Sequence, residues 1–429
     1  MPFPSRPHRL SAFPVYVGLL FVDSLAGMLT FTVTSLYFVT ELGLSPLALV
    51  LCGTAMELAI FLFEVPTGVV ADLVSRRASV VLSYLVIGVA VIGFGVVESV
   101  PGVIACFALW GVGYTFQSGA LEAWIADEVG TARLAPALLR GAQAGWAGAL
   151  LGVVLSTLVG GVSLRGAIVA GGCLTIALGV VLALLMPETG FRRRRAAEQE
   201  SADEEGVRAF LATARRGARE VRRHHVLLLL LGIAFAYGAW TESFDRLWVA
   251  QVVALGLPSG VDDVVAVGVL TAAALVAGIL VSEVAVRRLG DAPSPVLARL
   301  LTILSAGLLV ASLAFALAGS FALACGGYLA IVAIRSLVGP LQSVWVNRTI
   351  EDSSVRATTL SMVSQADAVG QVAGGPAIGA AATAGSLRLG LGLGALLLLP
   401  AVALLRRAVR HLAAELPEGQ GEAAAARRG

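Results

Sequence analysis

The amino-acid sequence predicts an all-α integral membrane protein with twelve transmembrane helices, arranged as two pseudo-repeated six-helix bundles. Of its 429 residues, 58% are hydrophobic and 14% are charged, against about a quarter charged in an ordinary soluble domain. Mean hydropathy is +0.88. A soluble fold of this length cannot bury so much apolar surface in its core. A bilayer accepts it in spanning helices of about 20 residues each.

Twelve apolar stretches follow one another along the chain, separated by polar segments. They lie at 13–39, 46–71, 78–97, 101–126, 137–160, 163–186, 226–251, 262–286, 296–318, 320–346, 357–382 and 387–405. The longest polar segment divides them into six and six. We therefore predict an N-terminal bundle at 1–186, a cytoplasmic linker at 187–225, a C-terminal bundle at 226–410 and a cytoplasmic tail at 411–429.

The linker has two interpretations. Apolar residues from Val207 to Val221 recur at helical spacing between arginines, which favours an amphipathic helix lying on anionic lipid headgroups. The alternative is a solvated segment without fixed structure.

The distribution of arginine predicts the orientation in the membrane. All 30 basic residues are arginines. If the N-terminus is cytoplasmic, nearly all of them fall in inward loops, the linker or the tail. Only Arg165 and Arg388 fall in outward loops, while Arg246 and Arg335 lie inside predicted spans. Because cytoplasmic loops carry the excess of basic residues, we expect a multi-pass protein of the cell membrane with both termini in the cytoplasm.

Composition and motifs also exclude several classes of function. The net charge of +2 gives no electrostatic basis for nucleic-acid binding. The 4 histidines fall in predicted cytoplasmic segments, and the sequence has neither a metal-ligand pattern nor a phosphate-binding P-loop. We therefore expect no catalytic residues, no metal and no cofactor, and we exclude an enzyme and an ATP-driven pump.

Short matches between the two halves indicate an internal duplication. Segments 143–152 and 365–374 share a Gln-Ala pair followed by two glycines at the same spacing. Segments 42–44 and 255–257 both read Leu-Gly-Leu, each just after the first span of its half. Two related six-helix repeats are a common plan among transporters.

The most specific motif closes the second predicted span. Gly68, then Asp72, then a small residue, Ser75, and the pair Arg76-Arg77 resemble the signature between helices 2 and 3 of the major facilitator superfamily. Ser75 departs from the glycine that is usual there. The resemblance implies the major facilitator fold and a secondary transporter, with Gly68, Asp72, Arg76 and Arg77 acting as a gate at the cytoplasmic face.

Glu122 lies near the inner end of the fourth predicted span. At that depth its carboxylate can pair with Arg76, Arg77 or Arg140. We therefore assign Glu122 to the same gate.

Weaker similarities point to drug/proton antiporters. The segment 22–27, with Asp23 shortly before Gly27, is similar to helix 1 of tetracycline/proton antiporters, and 187–189 resembles the Pro-Glu-Thr that often closes helix 6. Gly-Gly-Pro at 374–376 is similar to the antiporter glycine-proline motif, although the family carries that motif in helix 5 and here it lies in helix 11. The helix 4 arginine of many proton-coupled members is missing here.

Nine ionisable residues fall inside the predicted spans, where a charge is costly and marks a candidate functional site. They are Asp23, Glu57, Glu64, Glu122, Glu242, Asp245, Asp367, Arg246 and Arg335. Since acids outnumber arginines, most carboxyls must meet water, polar groups or protons. Asp23, Glu57 and Glu64 are the candidates for proton coupling. For Glu57 and Glu64 the alternative is a structural polar seam with Asp367 and Gln371.

In the major facilitator superfamily, helices 1, 4, 7 and 10 line the central cavity, and these helices carry polar and aromatic residues here. The candidates for the substrate cavity are Thr30, Tyr114, Gln117, Trp240, Glu242, Asp245, Arg246, Arg335, Gln342 and Trp345. The aromatic residues could instead pack in the core or at the membrane interface. The charged residues could instead form structural ion pairs, Asp245 with either Arg335 or Arg246.

Together these features predict a transporter that exports a small amphipathic molecule in exchange for protons by alternating access, working as a monomer in the lipid bilayer. The alternatives are a proton-coupled or facilitative importer and a non-transporting membrane receptor. The charge of the substrate stays open, because Glu242 and Asp245 favour a cation while Arg246 and Arg335 favour an anion.

Overall fold

The computed structural model describes residues 11–190, 225–256, 260–289, 293–349 and 353–414. Within these ranges the chain forms fourteen α-helices and no β-strand, so the predicted all-α class is confirmed. The helices are α1 (Ala12–Thr40), α2 (Pro46–Leu73), α3 (Arg76–Val96), α4 (Val100–Gln117), α5 (Ala120–Val129), α6 (Thr131–Gly160), α7 (Leu164–Leu185), α8 (His225–Ala254), α9 (Asp263–Leu289), α10 (Ser294–Ala316), α11 (Phe321–Thr349), α12 (Ser353–Ala384), α13 (Leu387–Leu396) and α14 (Leu398–Ala414).

Two of the predicted spans are interrupted. The fourth is divided into α4 and α5 at Ser118-Gly119, where Gly119 adopts a φ of 72° that favours glycine over any residue with a side chain. The twelfth is divided into α13 and α14 at Leu397. The predicted amphipathic helix of the linker lies outside the described residues, as does the tail beyond residue 414.

Ten of the described segments are long and apolar enough to cross a membrane, counting α4 with α5 and α13 with α14 as single spans. The other two long helices, α8 and α12, are not among these ten, and both carry polar or charged side chains at mid-length. Glu242, Asp245 and Arg246 lie on α8, and Asp367 and Gln371 lie on α12. Their polarity suits helices that pack against each other and border a cavity. The count of twelve spans stays a prediction.

Several helices extend beyond their predicted apolar limits at the arginine-rich end. Helix α6, the fifth predicted span, already begins at Thr131. Helix α9 continues through Arg287 and Arg288, and α11 includes Arg348. Hydropathy detects only the part of a helix that lies in hydrocarbon. The backbone hydrogen bonds, by contrast, continue into the headgroup region, because polar side chains there do not break a helix.

Matched glycines perform the same packing task in both halves. A Cβ on Gly148 of α6 would overlap the Phe21 carbonyl of α1, and one on Gly370 of α12 would overlap the Phe235 carbonyl of α8. These glycines therefore let α6 approach α1, and α12 approach α8, at backbone contact. The repeated Gln-Ala-glycine segments therefore occupy corresponding packing positions in the two halves.

The repeated Leu-Gly-Leu segments also have one structural role. Gly43 follows α1 with φ of 60°, and Gly256 follows α8 with φ of 76°. A glycine in the left-handed region is a common way to end a helix. Both segments therefore turn the chain at the same point of their halves.

The two halves touch mainly at the end opposite the arginine-rich loops. Leu47 N–H donates to Thr383 Oγ1 at 2.9 Å, joining α2 to α12. Gly268 of α9 packs against Thr157 of α6, and the start of α9 also packs against the end of α6. Toward the arginine-rich end α2 and α12 leave a cavity between them.

Candidate functional site

A cavity of about 790 Å³ opens between α2, α4 and α12. Its polar lining comprises Glu57, Glu64, Tyr114, Ser118, Ser361, Ser364, Gln365, Asp367 and Gln371. Three carboxyl groups thus share one space, and none of the lining residues is an arginine.

The carboxyl groups converge because two helices each present one stripe. Glu57 and Glu64, seven residues apart on α2, lie on one face about 10 Å from each other. Ser118 Oγ donates to Glu64 Oε1 at 3.2 Å, and Gln371 Nε2 donates to Asp367 Oδ2 at 2.8 Å across one turn of α12. The structure therefore brings the residues of the expected polar seam together, with the glutamates on α2 and Asp367 and Gln371 on α12. All of them border open space.

An aromatic wall forms the side of the cavity made by α4. Trp110 and Tyr114 stack with ring centroids 5.5 Å apart and planes inclined by 9°. Phe31 of α1 meets Trp110 edge-on at 5.9 Å. Stacked rings beside carboxylates make a surface that suits a cationic or amphipathic molecule.

One arginine inside the membrane is paired at the junction of the two halves. Arg246 Nε donates to Glu242 Oε1 at 3.1 Å, one turn along α8, and Glu242 is 2% exposed. The Arg246 guanidinium also lies 5.6 Å from the Phe107 ring centre and reaches Met56 Sδ at 3.9 Å. A Cβ on Gly53 of α2 would overlap Glu242, so this glycine admits the pair between the halves.

The second arginine inside the membrane links α11 to α8. Arg335 donates to both carboxylate oxygens of Asp245, and its guanidinium lies 5.3 Å from the ring centre of Trp240. Trp240 is buried and stacks on Phe244 at 5.6 Å. Of the two pairings weighed for Asp245, the structure shows the one with Arg335.

Two candidates on α1, Asp23 and Thr30, lie elsewhere. Asp23 is half-buried beside the phenol of Tyr84 on α3, outside the cavity lining. Thr30 is 1% exposed and packs against Gly171 of α7. The face of α1 that carries these two residues therefore turns toward α3 and α7.

The remaining cavity candidates are dispersed. Gln342 lines a smaller cavity of about 240 Å³ that shares Ser364 and Asp367 with the main one. Trp345 is fully buried, and Gln117 ends α4 in a half-buried position outside the main lining.

The motif after α2 forms a compact network at the arginine-rich end. Ser75 Oγ accepts from Ala78 N–H at 2.9 Å and caps α3, which gives the departure from glycine a physical reason. Arg76 lies 3.5 Å from Asp72 and forms an ion pair with Asp127 of α5. Arg77 donates to the Ala183 carbonyl. Of the other residues assigned to the gate, Gly68 is half-buried on α2 and Glu122 is exposed on α5.

Glu188 joins this network through the segment that resembles the family's helix 6 ending. Its carboxylate accepts from Ser75 Oγ at 2.9 Å and from Arg77 N–H at 3.0 Å, at the N-terminus of α3. Pro187 O accepts from Trp124 Nε1 at 2.7 Å. Asp127 and Glu188 were not predicted as site residues, although the Pro-Glu-Thr segment was a usable signal for Glu188.

Comparison with known proteins bears on the fold and the family. The family model described as Major Facilitator Superfamily matches residues 16–354. An uncharacterised MFS-type transporter of Methanocaldococcus jannaschii is 31% identical over 65 residues, which is 15% of this chain and 16% of that protein.

Solved structures share the fold at low sequence identity. The nucleoside transporter NupG gives a TM-score of 0.70 at 14% identity, covering 92% of this chain and 99% of NupG. A bacterial homologue of the human lysosomal transporter Spinster, inward-facing and unoccupied, gives 0.69 at 16% identity over 95% and 98% of the two chains. The peptide transporter POT in complex with sulfate gives 0.69 at 15% identity over 94% and 95%.

Proposed function

Because the chain belongs to the Major Facilitator Superfamily, we propose that this transporter exports an amphipathic organic cation in exchange for protons by alternating access. The observation that carries the proposal is the uncompensated acidity of the cavity. Glu57, Glu64 and Asp367 line it together, and no arginine does. A carboxylate partly shielded from bulk water, as Glu57 and Asp367 are, is stabilised by a cation or a proton, while Glu64 is exposed and adds negative charge to the same space.

The two arginines inside the membrane are each held by a carboxylate outside the cavity lining. Arg246 is bound to Glu242, and Arg335 to both oxygens of Asp245. Each pair is close to neutral, so the acidic surplus stays with the cavity lining. The pairing favours a cationic substrate, which the sequence left undecided.

The other wall of the cavity suits the apolar body of such a molecule. The stacked rings of Trp110 and Tyr114 face the space that Glu57 and Glu64 border, together with the apolar side chains of Phe61 and Met56. A delocalised cation gains from both surfaces, since an aromatic face attracts positive charge and apolar contact removes hydrocarbon from water.

The packing of the halves supports alternating access. Leu47 and Thr383 join the halves at one end, while the cavity opens between α2 and α12 toward the end that carries Arg76 and Arg77. With that end in the cytoplasm, this conformation takes up substrate from the cell interior. Export then requires release of the Leu47–Thr383 contact and closure at the arginine-rich end, where Asp72 and its neighbours lie.

We assign the coupling proton first to Asp23. It has no cationic partner among the described residues and lies outside the cavity lining, so it can bind a proton independently of the substrate. Glu57 and Glu64 are the alternatives, because they border the cavity directly. A proton gradient drives transport only through a site whose proton affinity differs between the two conformations.

The test uses ions of nearly equal shape and opposite charge. Purified protein should bind tetraphenylphosphonium at least about ten-fold more tightly than tetraphenylborate, and the triple variant Glu57→Gln, Glu64→Gln, Asp367→Asn should lose that preference. In proteoliposomes with an imposed pH gradient, ethidium should move away from the side of the arginine-rich loops while protons move toward that side. Preference for the anion would overturn the substrate class, and gradient-driven flux in the opposite direction would favour an importer.

A further inference from the structure

Three arginines border an exposed groove between α10 and α14, remote from the transport cavity. The groove has a volume of about 410 Å³ and is lined by Arg299, Thr302, Ile303, Arg406, Val409 and Arg410. Neither the transport cycle nor the gating motif involves any of these residues.

The arginines converge because α10 begins and α14 ends at the same membrane face. Arg299 lies in the second turn of α10, which begins at Ser294, and α14 contacts α10 near its own end at Ala414. Arg406 and Arg410 are one turn apart and therefore share a face of α14. The opposite face of α14 is buried in the protein, with Leu405 at 2% exposure.

The positive charge of the groove is not neutralised within the described residues. The ion pairs found there involve other arginines. Arg299, Arg406 and Arg410 are all exposed, and the other lining residues are Thr302, Ile303 and Val409. Three like charges around one groove repel each other, so an anion that binds between them is stabilised.

An apolar path continues from the groove along α10 into the membrane. Ile303 is 68% exposed and Val310, two turns further on the same face, is 65% exposed. From Arg299 to Val310 the helix rises about 16 Å, close to the thickness of one leaflet of hydrocarbon, about 15 Å. A ligand that matches the whole feature has an anionic head and an acyl chain of this length.

We propose that the groove is a binding site for an anionic phospholipid of the leaflet at the arginine-rich end. The phosphodiester receives hydrogen bonds from Arg299, Arg406 and Arg410, since guanidinium groups bind phosphate oxygens in a planar, bidentate manner. The acyl chains lie along Ile303 and Val310. Basic pockets between transmembrane helices on the cytoplasmic side are known to hold lipid headgroups by this chemistry. A free phosphate would satisfy the arginines alone and leave the apolar path uncovered.

The test is native mass spectrometry of the full chain titrated with phosphatidylglycerol or phosphatidylcholine of identical acyl chains. Each arginine near an anionic headgroup contributes roughly five-fold to affinity. The triple variant Arg299→Gln, Arg406→Gln, Arg410→Gln should therefore lower phosphatidylglycerol binding at least about ten-fold and leave phosphatidylcholine binding unchanged. Arg407→Gln is the matched control, because Arg407 is exposed on the same helix outside the groove. It should retain wild-type binding.

Three results would overturn the proposal. Equal binding of the two lipids by the wild-type protein would remove the headgroup preference. A loss in Arg407→Gln as large as in the triple variant would indicate general attraction to a basic surface. Competition by millimolar inorganic phosphate as effective as that by the lipid would assign the site to a free anion. Unchanged melting temperatures of both variants in phosphatidylcholine micelles show that the comparison concerns folded protein.

Discussion

Arg335 on α11 holds both carboxylate oxygens of Asp245 on α8, with Nη1 to Oδ1 at 2.5 Å and Nη2 to Oδ2 at 3.1 Å. These two helices otherwise touch at few points. The ion pair is therefore the main polar link between them, and its partners are partly exposed, at 33% and 41% of their side chains. The pair Glu242–Arg246 differs, because its carboxylate is 2% exposed.

The difference in burial predicts different costs of breaking the two pairs. Arg246→Gln should lower the free energy of unfolding by about 3–5 kcal/mol, the range for removing one partner of a buried pair. Arg335→Gln should cost about 1 kcal/mol, because water can solvate the remaining Asp245. Chemical unfolding in detergent measures both. The double variant Glu242→Gln, Arg246→Gln should recover part of the loss, since no unpaired charge remains. Equal costs for the two single variants would contradict this ranking.

Asp23→Asn should abolish gradient-driven accumulation while leaving substrate affinity within about two-fold of wild type. Asp23 lies beside Tyr84 and outside the cavity lining, so its charge does not contact the substrate. Glu242→Gln and Asp245→Asn should instead weaken binding of a cation, because each leaves an arginine unpaired next to a lining residue. Arg246 contacts Met56, and Arg335 interacts electrostatically with Asp367. Affinity and proton-driven flux are measured on every variant. If Asp23→Asn still concentrates substrate, the coupling proton belongs to Glu57 or Glu64.

Asp72→Asn should leave the protein folded and inserted but reduce transport by roughly ten-fold. The Asp72 side chain is 70% exposed and 3.5 Å from Arg76, so its loss costs at most about 1 kcal/mol of stability. In the opposite conformation the halves must meet at this end, where a carboxylate facing a helix N-terminus contributes up to about 2 kcal/mol. Initial rates in proteoliposomes test this. Asp263→Asn, an exposed carboxylate at the other end, is the control and should transport normally.

Gly53→Ala should destabilise the conformation described here. A Cβ at Gly53 would overlap the Glu242 carboxylate and Arg246 Nε, and overpacking of this kind costs about 1–3 kcal/mol. We expect a lower melting temperature and weaker substrate binding. Gly326→Ala is the control, because a Cβ there would meet nothing within 4 Å. Indistinguishable behaviour of the two variants would show that Gly53 is not required for the junction.

A cysteine at position 205 should resist an impermeant maleimide in intact cells. The arginine distribution places the loop that contains Glu205 in the cytoplasm. The assay starts from a variant in which Cys52, Cys106, Cys173 and Cys325 are serines. Val162→Cys, at a site 90% exposed in the loop after α6, is the matched control and should react. Labelling of position 205 in intact cells would reverse the orientation and, with it, the proposed direction of transport.

The periodicity of the sequence was informative along each helix. Glu57 and Glu64, seven residues apart, were expected to act together as a proton site or a polar seam, and both line the cavity. It was less informative about the direction in which a face turns. Thr30 was expected in the cavity, yet it packs on Gly171 of α7. Helical spacing groups residues into stripes, but neighbours from distant parts of the chain decide which stripe is covered.

By itself, the sequence determined the all-α class, the apolar helices, the arginine-rich end and the set of charged residues inside the membrane. These properties follow from composition and local spacing, because each spanning segment satisfies its own backbone hydrogen bonds. Only the tertiary structure decided that Arg246 pairs with Glu242 and Arg335 with Asp245. It also decided that Asp367 joins Glu57 and Glu64. Arg335 and Asp245 lie on different helices, and Glu242 and Asp245 compete for Arg246 within one turn of α8. The choice of partner therefore depends on helix rotation and on close approach at glycines, which no local pattern encodes.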